Sequence, residues 1–180
     1  MKRYVLVALA VFAAACGSSS PSSPSGPPNT VVFTSALSPA NETPPVTNAD
    51  QSGRGNATIT FHLTRDTAGT ITAATADFVY SLTGFPSNTQ VILTHIHEGG
   101  PGVGPGPVRL NSGLTAATAI TLADGSATNI TFSGLGADKV VGGEGLALFQ
   151  KIIDNPNGYY FNVHTVINPG GAVRGQLVKQ

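Results

Sequence analysis

His95 and His97 stand two residues apart in Thr94-His95-Ile96-His97-Glu98-Gly99, and a third histidine, His164, lies near the end of Tyr159-Tyr160-Phe161-Asn162-Val163-His164-Thr165. Residues of an extended strand alternate between its faces, so the imidazoles of His95 and His97 project from the same side. Two nitrogens set that way are a start on a metal site. If the strand carrying His164 passes beside them, three imidazoles converge and leave one coordination position open, a donor set suited to copper or zinc. The glycine- and proline-rich loop from Gly99 to Pro107 would keep the backbone low enough for solvent to reach such an ion.

The same histidines have a second use. An imidazole donates through one ring nitrogen and accepts through the other, so His95, His97 and His164 can equally pin the long loop to the last hairpin by bridging backbone groups. Glu42 and Arg174 fit that use as a charge-assisted pair tying the first strand to the last. Sequence alone leaves both readings open.

Other chemistries find less. The Gly99–Pro107 loop is followed by no helix, and its three prolines remove backbone donors, so it is no phosphate cradle. No serine stands in a nucleophile-elbow pattern, and acidic residues are scattered singly, so neither a hydrolytic triad nor a paired-carboxylate site is visible. Basic and acidic residues number nine each; setting aside Lys2 and Arg3 leaves seven against nine, and no basic field exists to attract nucleic acid.

The elements that must position the histidines are strands. Alternation with abundant threonine is common along the chain and helical spacing is scarce. In Asn56 to Thr64 the residues Ala57, Ile59, Phe61 and Leu63 face a core and His62 faces water. From Thr70 to Leu82 the core face is Ala74, Ala76, Phe78, Tyr80 and Leu82. Val91 to His97, Pro107 to Leu110, Tyr159 to Val166 and Ala172 to Val178 read as further strands, the last two joined about Asn168-Pro169-Gly170-Gly171. Ala117–Leu122 and Ala127–Phe132 about Asp124-Gly125 read as a hairpin. Glu144 to Asp154, with Leu146, Phe149, Ile152 and Ile153 on one stripe, is the single helical candidate. About eight short strands with regular turns predict an all-β fold, a two-sheet antiparallel β-sandwich or flattened Greek-key barrel.

The ends assign a compartment. Residues 1–15 carry Lys2-Arg3 and then an apolar stretch too short to span a bilayer, the pattern of an export signal. Ala13-Ala14-Ala15 before Cys16, the only cysteine, resembles a bacterial lipobox, which implies cleavage before Cys16 and its lipidation; the family pattern favours Leu where Ala13 stands. Membrane attachment through that lipid is the expected partner contact, and Gly17 in place of an aspartate points to the outer membrane rather than inner-membrane retention. Residues 16–30, almost entirely Ser, Pro and Gly, form a tether able to lift a domain roughly 40 Å from the bilayer in polyproline II geometry. Residues 31–180 are left as one domain.

Three blocks together, Leu37-Ser38-Pro39-Ala40-Asn41-Glu42-Thr43-Pro44-Pro45-Val46, the Thr94–Gly99 segment, and Tyr159–Thr165 running on into Asn168-Pro169-Gly170-Gly171-Ala172-Val173-Arg174-Gly175-Gln176-Leu177, resemble the CHRD domain in the same order, over about residues 33–179. That module is named after its repeats in chordin and occurs singly in bacterial surface proteins. The resemblance implies a non-enzymatic binding or surface-structural module whose envelope ligand is unknown; the competing reading is a copper- or zinc-binding protein serving sequestration or oxidant defence. The HxH pair, its glycine loop and the closing Pro-Gly-Gly-Ala-Val-Arg segment are also similar to copper/zinc superoxide dismutases. The chain departs from those by having no internal disulfide and no clear bridging ligand.

The lipid assignment is checked by mass spectrometry of protein purified from membranes. The mature chain is expected to begin at Cys16 with two or three acyl chains, and Cys16→Ser is expected to release it to the soluble fraction.

Overall fold

The computed structural model describes residues 26–180, so the export signal, Cys16 and most of the tether lie outside the described residues. Ten strands and one helix follow in chain order: β1 (Thr30–Leu37), β2 (Arg54–Arg65), β3 (Ile71–Thr83), β4 (Thr89–Glu98), β5 (Val108–Asn111), β6 (Ile120–Leu122), β7 (Ala127–Leu135), α1 (Ala147–Asp154), β8 (Tyr159–Thr165), β9 (Val173–Gln176) and β10 (Val178–Lys179). They form two antiparallel sheets. One has the order β10-β1-β2-β3-β7; the other runs β5-β4-β8-β9, with β6 also paired to β4. The all-β sandwich expected from the alternation is what the chain forms.

Burial follows the period of two. In β2, Ala57, Ile59, Phe61 and Leu63 are buried while Thr58, His62 and Thr64 are exposed; in β3, Ala74 to Leu82 do the same on every second residue. The exposed His62 meets Asp77 across the β2–β3 pair at 3.0 Å. From the facing sheet Phe161 enters the core, with ring centroids 5.5 Å from Phe78 and 5.3 Å from Tyr80. The helix covers one end: Phe149 packs edge-on to Phe61, and Leu148 and Ile152 are buried beside it.

Two strand expectations are corrected. Ala117–Leu122 and Ala127–Phe132 do not pair as a hairpin: β6 joins β4 in the second sheet and β7 joins β3 in the first. Asp124-Gly125 is thus a corner between sheets. Gly125 sits there with φ of +78°, and a side chain on it would strike the Phe85 carbonyl, so a turn signal that normally marks a hairpin here serves close backbone approach. The segment Ala172–Val178 is likewise not one strand. It breaks at buried Leu177, pairing with β8 before the break and with β1 after it. A further bridge between Ser38 and Arg174 joins the end of β1 to β9 and partly closes the sandwich on that side.

Phe161 is fully buried between the sheets. Phe161→Ala is expected to lower unfolding stability by about 3–5 kcal/mol, read from the denaturation midpoint, whereas Thr58→Ala on the outer face should change it by less than about 0.5 kcal/mol.

Candidate metal centre

Strands β4 and β8 lie side by side, and their register decides which side chains meet. His95 stands opposite Asn162, His97 opposite Tyr160, and Leu93 opposite His164. Ile96, Phe161 and Val163 take the inner face, so His95, His97, Tyr160, Asn162 and His164 share the outer one. That face is not bare. The Gly99–Pro107 loop, the turn around Glu42 and the 166–171 turn fold over it, which is why all seven residues of β8 are buried. The glycine loop therefore covers this face, where the sequence suggested that it leaves the histidines open to solvent.

Under this roof the three histidines converge. One ring nitrogen from each of His95, His97 and His164 lies within 4.8 Å of the others, and the ring centroids of His95 are 4.4 Å from both His97 and His164. Two rings are oriented by backbone. His97 Nδ1 bonds the Gly106 carbonyl at 2.7 Å and His164 Nδ1 bonds the Pro169 carbonyl at 3.0 Å. A carbonyl only accepts, so each Nδ1 carries the proton and each Nε2 is left with a lone pair. The Nε2 atoms of all three histidines are buried with no hydrogen-bond partner.

The surroundings keep these rings uncharged. Burial and the neighbouring His164 and His97 push His95 down to about 2; burial, only partly offset by the Pro169 bond, pushes His164 down to about 4. His97 is lowered chiefly by burial, with the Arg174 guanidinium adding to the effect. Neutral imidazole is the ligating form.

The positioning groups are packed with little freedom. A side chain at Gly106 would collide with the Glu98 carbonyl, so only glycine lets the Gly106 carbonyl reach His97. The Gly106 N–H donates to Tyr160 Oη at 3.2 Å, and the Tyr160 ring stacks on His97 at 4.9 Å and 6°. The turn bearing Pro169 is held by Asp50, fully buried, whose Oδ2 accepts from Thr165 Oγ1 at 2.6 Å and Asn168 Nδ2 at 2.7 Å.

Glu42 and Arg174 are both buried here but do not form the direct pair expected from sequence; among the described residues no ion pair within 4.0 Å joins them. The Arg174 guanidinium is committed elsewhere, donating through Nη2 to the Val103 carbonyl at 3.0 Å and lying 4.3 Å from the centre of the Tyr160 ring. The first and last strands are tied instead by Ser35 Oγ donating to the Gly175 carbonyl, Asn41 Nδ2 donating to the Arg174 carbonyl, and backbone bonds between Ser38 and Arg174. The Glu42 carboxylate rests against Gly171, where a Cβ would come within 2.9 Å of both its oxygens. Burial raises it to about 7 although Arg174 pulls the other way.

The solvent access to these histidines expected from sequence is not seen at their Nε2 atoms. The Nε2 atoms have no exposure, and the cleft of about 430 Å³ lined by Glu42, Tyr160, Asn162, Gly171 and Arg174 is not lined by any of the three histidines. Metal–nitrogen bonds of about 2.0–2.1 Å place tetrahedral donors roughly 3.4 Å apart, so an ion would draw no pair of these nitrogens together by more than about 1.4 Å.

Matched to protein-family models, residues 33–177 fit the CHRD domain. The chain belongs to the CHRD domain family. No curated protein and no solved structure matches it. Within this CHRD domain, Tyr160, Asn162, Gly106 and Pro169 join the histidines although sequence did not single them out for this place. Tyr160 and Asn162 were legible by parity, being four and two residues before His164 on one strand. The carbonyls of Gly106 and Pro169 leave no side-chain signal.

The pH dependence of the metal-free domain follows. The histidines bind protons more weakly folded than unfolded, so stability present above about pH 6.5 is lost as pH falls towards 4; Glu42 binds its proton more tightly folded, so its contribution has the opposite sign between about pH 4.5 and 7. Glu42→Gln is expected to raise stability at pH 8 by on the order of 2 kcal/mol, to give little gain at pH 4.5, and to steepen the acid loss, read from denaturant midpoints across that range.

Proposed function

We propose that this chain is an envelope-tethered, non-enzymatic CHRD module that sequesters a transition metal ion, copper or zinc, through His95, His97 and His164. One observation carries the reading: one ring nitrogen from each of three buried histidines lies within 4.8 Å of the others, and the Nε2 of each is buried without a hydrogen-bond partner. Leaving such a group unpaired costs about 1–3 kcal/mol each, and here three such nitrogens belong to neighbouring rings. The bonds to Gly106 and Pro169 serve a loop-pinning role, but they use only Nδ1 and leave Nε2 without employment. They also match the second sphere of metal-binding histidines, where the far nitrogen is held by a carbonyl so that the ligating one is fixed in direction.

Closure of the site favours holding an ion over turning over a substrate, since a catalytic metal keeps a position for water or substrate. Display on a lipidated Cys16 and the Ser/Pro/Gly tether would place that capacity at the outer membrane, facing metal arriving from outside the cytoplasm. The membrane contact and the metal are the partners proposed; no nucleic acid is among them.

Protein purified without a polyhistidine tag and exposed to copper and zinc in turn is expected to retain one ion per chain and to melt at a higher temperature with it. His97→Ala and His164→Ala are expected to weaken retention by about a hundredfold or more, while His62→Ala, on the opposite outer face, leaves it unchanged. An unchanged melting temperature and no retained metal in the wild-type protein would refute the proposal.

A further inference from the structure

Every donor offered at the convergence point is a neutral imidazole. Among the described residues the group around it consists of His95, His97 and His164 alone, with no carboxylate or thiolate. A fixed cation stands close by: the Arg174 guanidinium lies over the Tyr160 ring, which stacks on His97. Glu42, resting on Gly171, offsets part of that charge but offers no oxygen to the histidines' common point.

The charging energy of an ion withdrawn from water rises with the square of its charge. For a unit charge in a protein interior the penalty is still several kcal/mol after relaxation, and a divalent ion faces about four times as much. Zinc and divalent copper recover that difference through anionic ligands or a fourth, water-filled position. This site supplies neither, because its ligands are uncharged and their Nε2 atoms are shut off from solvent. A monovalent ion with filled d-shell escapes both demands. Monovalent copper is satisfied by three nitrogen donors in a near-planar set and needs no fourth.

We infer that the three-histidine site is selective for monovalent copper over zinc and divalent copper, an inference that rests on the site binding metal at all. The roof formed by the glycine loop then has a specific use: by keeping water from the fourth position it withholds the ligand that a divalent ion requires.

The test uses the tag-free domain under anaerobic conditions, titrated with copper(I) against a chromogenic copper(I) chelator and separately with zinc(II) and copper(II) against indicators of known affinity. The expected result is one copper(I) per chain, bound at least about a hundredfold more tightly than zinc(II), with an X-ray absorption spectrum of three nitrogen neighbours and no fourth. Zinc(II) or copper(II) bound as tightly as copper(I) overturns the selectivity while leaving a metal site in place; retention of no ion overturns both. A variant probes the cause. Asn162→Asp puts a carboxylate on the residue opposite His95 with little change of shape and is expected to raise zinc(II) affinity about tenfold while copper(I) affinity stays within about threefold. A folded Asn162→Asp protein, verified by circular dichroism, with unchanged zinc(II) affinity would mean that ligand charge does not set the preference.

Discussion

The register between β4 and β8 is the constraint on which the rest depends. Slipping that pairing by one residue would send His95 and His97 into the hydrophobic core and turn Ile96 outward, because the side-chain period of a strand is two. What fixes it is burial on both faces. Ile96, Phe161 and Val163 are locked into the core on one side, while Tyr160, Asn162 and the histidines are roofed on the other. A strand covered on both sides normally reads as a continuous apolar run; β8 instead carries polar residues on its covered outer face. Those residues require partners, and the loops that cover them supply carbonyls to two of the three rings.

The polar outer face is organised in layers of decreasing commitment. Backbone carbonyls of Gly106 and Pro169 settle which nitrogen of His97 and His164 holds the proton. Tyr160 and Asp50 in turn hold the segments that carry those carbonyls, the first by a bond to Gly106 and the second through Thr165 and Asn168. Arg174 fastens the glycine loop at Val103 and shares the Tyr160 ring with His97. The result is a packed setting for three imidazoles whose Nε2 atoms meet no protein partner.

Much of this was legible in the sequence, for reasons that can be named. Period-two alternation in β2 and β3 is strong because one face of each strand is wet, so Ala57 through Leu63 and Ala74 through Leu82 could be assigned to the core directly. The pairing of His95 and His97 on one face followed from the same rule, and the convergence of His164 with them depended on adjacency that a hairpin-rich chain makes natural. Long-range choices were not legible. Asp124-Gly125 marks a turn equally well whether the next strand returns to its neighbour or crosses to the other sheet, and only the packing of Phe85 against that corner distinguishes the two. Charge complementarity suggested that Glu42 and Arg174 would meet, but a guanidinium can instead take a carbonyl and an aromatic face, and no local pattern reveals which partner wins.

The placement of β1 between β2 and the short β10 has a mechanical meaning. Were the residues preceding Thr30 to hang this domain from a membrane, as proposed, drag on it would be transmitted through that strand. β1 is laddered along its whole length to β2 and again, at Phe33 and Thr34, to the chain's last residues, where the Gln180 N–H also reaches the Val32 carbonyl. Tension along the strand therefore loads many bonds at once in shear, instead of opening them singly as it would on a free edge. Thr30 to Leu37 and the final residues brace one another, and under such tethering traction would fall on the first sheet, whereas the histidines belong to the second.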